Sequence, residues 1–191
     1  MKKLITYTEW LSPFCILTHK FKNTLSMMFF VSFMFFGLIL SAQSGSVTET
    51  YSAGDIPTDV DPSMSCAAAT GSLTVTIPSG KIVTSVVVAY DMTAASGAYM
   101  SEQNSRIRVV NNGNVESFVS GSGSSSGTFS YSRTITLADG LTDTSINFEL
   151  DAYRTWGPTT TPAGCNTTYN KVDNNTWSVT VNYDDIPSCI T

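Results

Sequence analysis

This sequence predicts an all-β fold, an antiparallel β-sandwich of jelly-roll type, and three observations carry that expectation. Short apolar–polar alternations recur between Leu73 and Tyr183, turn residues separate them at close spacing, and no segment has a helical period. Successive strand side chains point to opposite faces, so period two sends one set to a core and the other to water. Antiparallel sheets with one wet face have this signature, and seven or eight such strands with tight turns predict a single-domain sandwich.

The chain opens on an address. Met27 to Leu40 is an apolar run preceded by Lys20 and Lys22 and followed by Ser41-Ala42-Gln43. Basic region, short apolar core and small residue describe a secretory signal peptide, here with an over-long n-region, cleaved after Ala42. The run is shorter than the roughly 20 residues of a spanning helix, so no membrane span is expected after cleavage. Processing removes 42 of the 191 residues and leaves 149, with six basic against fourteen acidic side chains and a net charge of −8. Such a chain is a poor ligand for nucleic acid, whose phosphates require cations. A secreted or cell-surface location is the expectation.

Residues 43–72 read as an approach segment, since GDIPTDVDPSMSC carries two prolines and three aspartates. The sandwich domain is expected over 73–191. Leu73, Val75 and Ile77 alternate with threonines until Pro78-Ser79-Gly80 stops the strand. Ile82 to Met92 is apolar in both phases at Val87 and Ala89, which predicts a central strand. Ser101 to Val110 is followed by Asn111-Asn112-Gly113, a strong hairpin signal, and a return strand from Val115 to Val119. Gly121 to Gly127 (GSGSSSG) has linker composition and reads as a mobile hairpin tip. Thr128 to Leu137 is a further strand, with Arg133 in its apolar phase, which requires a bulge or a snorkelling edge position. Ile146, Phe148 and Leu150 mark the next strand and Trp177, Val179, Val181 and Tyr183 the last. Arg154 to Thr176 between them reads as a long polar loop.

Four stretches resemble a known group: LTVTIPSG (73–80), SEQNSRIRVV (101–110), FELDAYRTWG (148–157) and GCNTTYNKVDNNTWSVTVNY (164–183). They are similar to β-sandwich modules of large secreted, adhesin-like surface proteins of gliding, Bacteroidota-type bacteria, which are exported by type IX secretion. The resemblance implies an extracellular interaction role and no activity assignable residue by residue. A more distant likeness is to the galactose-binding-like jelly roll, which is fold analogy alone.

Catalysis finds little support in the residues. The only histidine, His19, precedes the cleavage point, which removes Ser-His-Asp, Cys-His and histidine-zinc chemistry from the mature chain. Glu149 and Asp151 share one strand face, but a glycosidase acid pair needs a cleft and usually separate strands. A non-enzymatic surface interaction module is therefore expected, with an extracellular glycan or a surface protein as partner. Tyr153, Arg154, Trp156, Tyr169 and Asn170 are the candidate ligand-binding residues, because aromatic faces stack on sugar C–H surfaces while amides and charges take hydroxyls. The competing reading is that these rings fold the loop onto the core. Self-association through sparsely charged Ser/Thr-rich edges, as in a structural subunit of a surface layer or filament, is the rival class.

Two expectations concern one end of the sandwich. In a jelly roll the first and last core strands run as neighbours. If these are Leu73–Ile77 and Trp177–Tyr183, Cys66 and Cys189 project beyond the same end. A Cys66–Cys189 disulfide and a free Cys165 follow, in an oxidising compartment. The same end would gather Asp55, Asp59, Asp61, Asp184 and Asp185, hard oxygen ligands that suit Ca²⁺; no other cofactor is expected.

Overall fold

The computed structural model describes residues 43–60, 69–158 and 165–187. Ten strands run through them: β1 (Gly45–Thr50), β2 (Ile56–Thr58), β3 (Thr70–Thr76), β4 (Lys81–Ala94), β5 (Gln103–Val109), β6 (Val119–Ser120), β7 (Gly127–Ile135), β8 (Ser145–Arg154), β9 (Asn166–Val172) and β10 (Ser178–Asp185). A 3-10 turn, Met100–Glu102, precedes β5.

Pairing divides the strands between two antiparallel sheets. One contains β1-β10-β4 with β7 on the far edge of β4, and β9 and β2 continue from β4's near edge; the other runs β3-β8-β5-β6. With β2 and β9 set aside, eight strands cross between the sheets in the double Greek-key winding of a jelly roll. The fold class expected from the alternation is the fold observed.

β4 organises the first sheet. Its 81–89 stretch pairs with β10 and its 92–94 stretch with β9, while β7 covers 86–94 from the other side. β9 and β10 therefore occupy successive parts of one edge and behave as a single interrupted strand. The interruption is the turn at 173–176, where Asn175 takes the positive φ of 63° that its side chain tolerates.

The core fills from the inward phases that the sequence marks. Ile146, Phe148, Leu150 and Ala152 of β8 face Val86, Val88, Tyr90 and Met92 of β4, with Val179 and Val181 of β10, and all are buried. Trp177 has no exposed surface. Each fully buried side chain of this size contributes about 1.5–3 kcal/mol of transfer free energy. Arg133 keeps its inward phase without a bulge, because β7 is an edge strand. Its guanidinium bonds Glu116 and donates to Tyr90 Oη at 3.1 Å. Burial opposes the charge, yet Glu116 and Tyr90 outweigh it and raise the arginine's pKa. That ion pair ties the edge of one sheet to the β5–β6 connection of the other.

Several expectations require correction. The approach segment 43–72 contains β1, β2 and the start of β3 rather than loop alone. β1 has little apolar content because β10 supplies its pairing, register Thr48 to Thr180. Leu73 belongs to β3, whose neighbour is β8, and β10 lies between β1 and β4. The first and last strands are neighbours, but the first is β1. The strand adjacency that motivated a Cys66–Cys189 bridge is thus absent. Cys165 is disulfide-bonded, which overturns the free thiol expected there, while Cys66 and Cys189 lie outside the described residues. The GSGSSSG stretch is tied down: Met100 N–H donates to Ser125 O at 3.1 Å and Ser101 N–H to Gly123 O at 3.0 Å. The hairpin at Asn112-Gly113 forms as expected, with Gly113 at φ 74°. Its return strand breaks at Glu116, whose carboxylate takes the Ile107 N–H at 2.7 Å and substitutes for a ladder bond.

Candidate functional site

β8 delivers the site. Its inward phase runs Ile146, Phe148, Leu150, Ala152 and then Arg154, so the arginine enters the sandwich with 0% exposure. Nη1 donates to Thr58 O at 2.5 Å and Thr58 Oγ1 at 3.1 Å, and Nη2 reaches Pro158 O at 3.4 Å. The guanidinium also lies over the Tyr169 ring, 5.3 Å from its centroid. Burial pulls the arginine's pKa down, and the Asp59 carboxylate and Tyr169 counter this. A fork-shaped cation with several acceptors is the form in which a buried charge is tolerated.

Asn170 forms the second half of this polar layer. It is fully buried, and its Nδ2 donates to Tyr99 O and Gln103 Oε1, both at 3.4 Å. Thr58 Oγ1 donates to Asn170 O at 2.6 Å, and Gln103 Nε2 to Met92 O at 3.3 Å. The layer joins β2, β5, β8 and β9 at one end of the sandwich.

Above it the chain exposes aromatic surface. Trp156 is 45% exposed and meets Tyr169 edge to face, with ring centroids 5.5 Å apart at 80°. Gly157 permits this turn at φ 112°; a Cβ there would stand 3.1 Å from Arg154 Nε and 3.4 Å from Tyr169. The 95–102 connection completes the ledge: Ala95 N–H donates to Tyr169 O at 2.6 Å and Thr155 N–H to Glu102 O at 2.9 Å. Tyr99 on that connection is also 45% exposed. Sequence reasoning missed it, because SGAYMSEQN carries no pattern that separates an exposed tyrosine from a core one.

Of the five candidate residues, the fold brings together Arg154, Trp156, Tyr169 and Asn170, in two different roles. Arg154 and Asn170 are buried supports, and Trp156 and Tyr169 form the surface. Tyr153 points the other way, in the outward phase of β8, where it packs edge-on against Phe118 with centroids 4.6 Å apart. On that outer face Asp151 is 2% exposed and accepts from Arg106 Nε at 2.9 Å and Thr70 Oγ1 at 2.8 Å, with Arg108 Nη2 3.5 Å away. Glu149 faces Arg108 at 3.6 Å. Both carboxylates are committed to arginines on a sheet face, not set across a cleft.

The aspartates expected to converge on calcium lie apart where they are among the described residues. Asp55 accepts from Lys171 Nζ at 2.7 Å and Asn174 N–H at 2.9 Å, and the lysine holds its pKa below the usual carboxylate value. Asp59 lies by Arg154. Asp184 and Asp185 end β10, a strand about 25 Å long whose start follows Asn174, so they stand far from Asp55. Asp61 lies outside the described residues, and no group of three metal-capable side chains occurs among the described ones. Strand order separates the described aspartates, since the last strand's neighbours are β1 and β4 and not β3.

No family model matches the chain, and no curated protein matches it. Solved structures with some likeness include the carbohydrate-binding module CBM6cm-2 of Cellvibrio mixtus lichenase 5A in complex with cellotriose, at 14% identity over 73% of this chain and 88% of that one, TM-score 0.35. The VP2 subviral particle of infectious bursal disease virus has 12% identity over 77% and 42%, TM-score 0.35. The Aeromonas sobria serine protease in complex with its ORF2 chaperone has 12% identity over 75% and 27%, TM-score 0.42. The chain spans less than half of the viral and protease chains. At these scores the jelly-roll assignment rests on strand pairing alone.

Chemically, the ledge offers one open indole, a propped phenol ring and backbone polar groups on a rigid support. That set can stack and hydrogen-bond a neutral polar ligand.

Proposed function

We propose that the chain is an exported, non-catalytic interaction module of a cell surface that binds carbohydrate at the Trp156 ledge. The observation that carries this reading is the exposed Trp156 ring, fixed edge to face on Tyr169 above a buried Arg154–Asn170 layer. A tryptophan left nearly half in water costs hydrophobic free energy that a stacked sugar would recover, and the polar layer beneath it fixes the ring in advance of binding. Adhesin-type behaviour follows if the glycan belongs to another surface. A glycan array with the exported protein tests the reading: binding to a defined set of glycans, lost in Trp156→Ala, supports it, and a blank array overturns it.

A second reading, self-assembly by strand addition, is favoured by β7. This nine-residue edge strand turns Thr128, Ser130, Ser132 and Thr134 outward and carries no outward charge. Sedimentation that depends on protein concentration, and is abolished by Ser132→Pro, is its test.

A further inference from the structure

At the end of the sandwich opposite the ledge, Gln43 meets a prepared ion cluster. Its backbone N–H donates to Asp185 Oδ2 at 2.8 Å. The other carboxylate oxygen, Oδ1, takes Lys81 Nζ at 2.5 Å, and the same ammonium donates to Gln43 O at 3.2 Å. Asp184 and Tyr183 line the adjoining polar groove with Ser44 and Gly45, and Lys81 also sits 5.8 Å from the Tyr183 ring centroid. One carboxylate, Asp185, thus bridges the Lys81 ammonium and the Gln43 backbone at the point where β1 begins.

The sequence places the expected signal-peptide cut between Ala42 and Gln43. Cleavage there would turn the Gln43 N–H, one neutral donor, into an α-ammonium with three donors and a full charge. We propose that Gln43 is the mature N-terminus and that its α-ammonium is held by Asp185, completing a Lys81–Asp185–terminus cluster that anchors β1 to β10. A charge-assisted bond replaces a neutral one at the same site, with no new geometry needed. The direction at Asp185 agrees: the Gln43 N–H and then Lys81 hold its pKa below the usual value.

An N-terminal glutamine has a characteristic fate. The unprotonated α-nitrogen attacks its own side-chain Cδ, a C–N bond forms, the amide C–N bond breaks, and ammonia leaves with a pyroglutamyl lactam behind. An amine held as ammonium by Asp185 has no lone pair to attack with, so the cluster slows this reaction. Lys81 competes for the same carboxylate, and Asp184 and Tyr183 are the other titratable groups in reach.

The test uses the full chain, leader included, exported by a Gram-negative host and purified from the periplasm. Intact mass is expected to place Gln43 first, with its ammonia retained. Incubated above neutral pH, Asp185→Asn is expected to lose ammonia roughly three to ten times faster than the wild type, the change that a half- to one-unit fall in an amine's pKa produces. Lys81→Met is expected to react no faster than wild type, since it frees Asp185 for the terminus. Amine acylation against pH supplies a readout independent of the variants: the wild-type terminus should titrate above the ordinary value of about 7.7–8.0. A different first residue, equal cyclisation rates in wild type and Asp185→Asn, or a terminus that titrates at or below the ordinary value would each overturn the proposal.

Discussion

Replacing Arg154 with methionine removes the centre of the layer on which the ledge rests. The guanidinium bonds two atoms of Thr58 and the Pro158 carbonyl and lies under Tyr169. Methionine fills the volume but leaves those acceptors, and the buried Asp59 carboxylate, without their cation. A hydrogen bond from a charged donor contributes about 1.5–3 kcal/mol, and the guanidinium makes three of them. These losses overlap, so the expected destabilisation is about 3–5 kcal/mol and not their sum. For a domain of this size each kcal/mol moves Tm by about 2–4 °C, which gives a fall of roughly 6–20 °C. Urea unfolding followed by far-UV circular dichroism gives the free energy, and a thermal scan gives Tm. Arg154→Lys keeps the charge but loses the fork, and should recover less than half of the loss. A loss below about 1 kcal/mol for Arg154→Met would refute the reasoning, because the layer would then be holding nothing.

Further outcomes follow from single contacts. Gly157→Ala forces a left-handed residue against Arg154 and Tyr169, and should cost about 1–2 kcal/mol in denaturant unfolding. Asp55 has a depressed pKa, so its contribution is complete above the ordinary value of 3.8 and lost as pH falls through the folded value; Asp55→Asn should flatten the acid limb of a Tm–pH profile. The raised pKa of Lys171 sets the opposite limit, its share being lost only as pH climbs through the folded lysine value. Cys165 should resist alkylation until the protein is reduced, and a peptide map without reduction should find it bridged, with no free thiol there.

How much of this was legible in the sequence depends on what holds each element. β3, β4, β7, β8 and β10 are held by apolar faces and announce themselves by alternation. β1 and β9 are held by neighbours: GSVTET and NTTYNKV have few apolar residues, and their backbone bonds go to strands far away in sequence. The buried arginines were half legible. Arg133 and Arg154 both fall in the apolar phase of their strands, which is the signal that they turn inward. For Arg133 the phase leaves a bulge or a snorkelling edge position, and the edge is what the structure shows; for Arg154, the last residue before a polar stretch, alternation does not separate strand end from loop. Tyr153 sits in the phase of Glu149 and Asp151, so alternation alone places it on the outer face and away from Trp156. Asn170 is buried for its hydrogen bonds, and no hydrophobic pattern announces such a residue. The strand adjacency behind both the cysteine and the aspartate expectations is not the one observed, because both assumed that the first strand was β3.

The central claim is that Trp156 is exposed in order to bind. Isothermal titration of the best array glycan against wild type and Trp156→Ala, with Tm recorded for both, tests it most directly. The account predicts a measurable Kd that weakens at least tenfold, about 1.4 kcal/mol, in the variant while Tm stays within a few degrees. Unchanged affinity, or an affinity lost only together with a collapse in Tm, would contradict it.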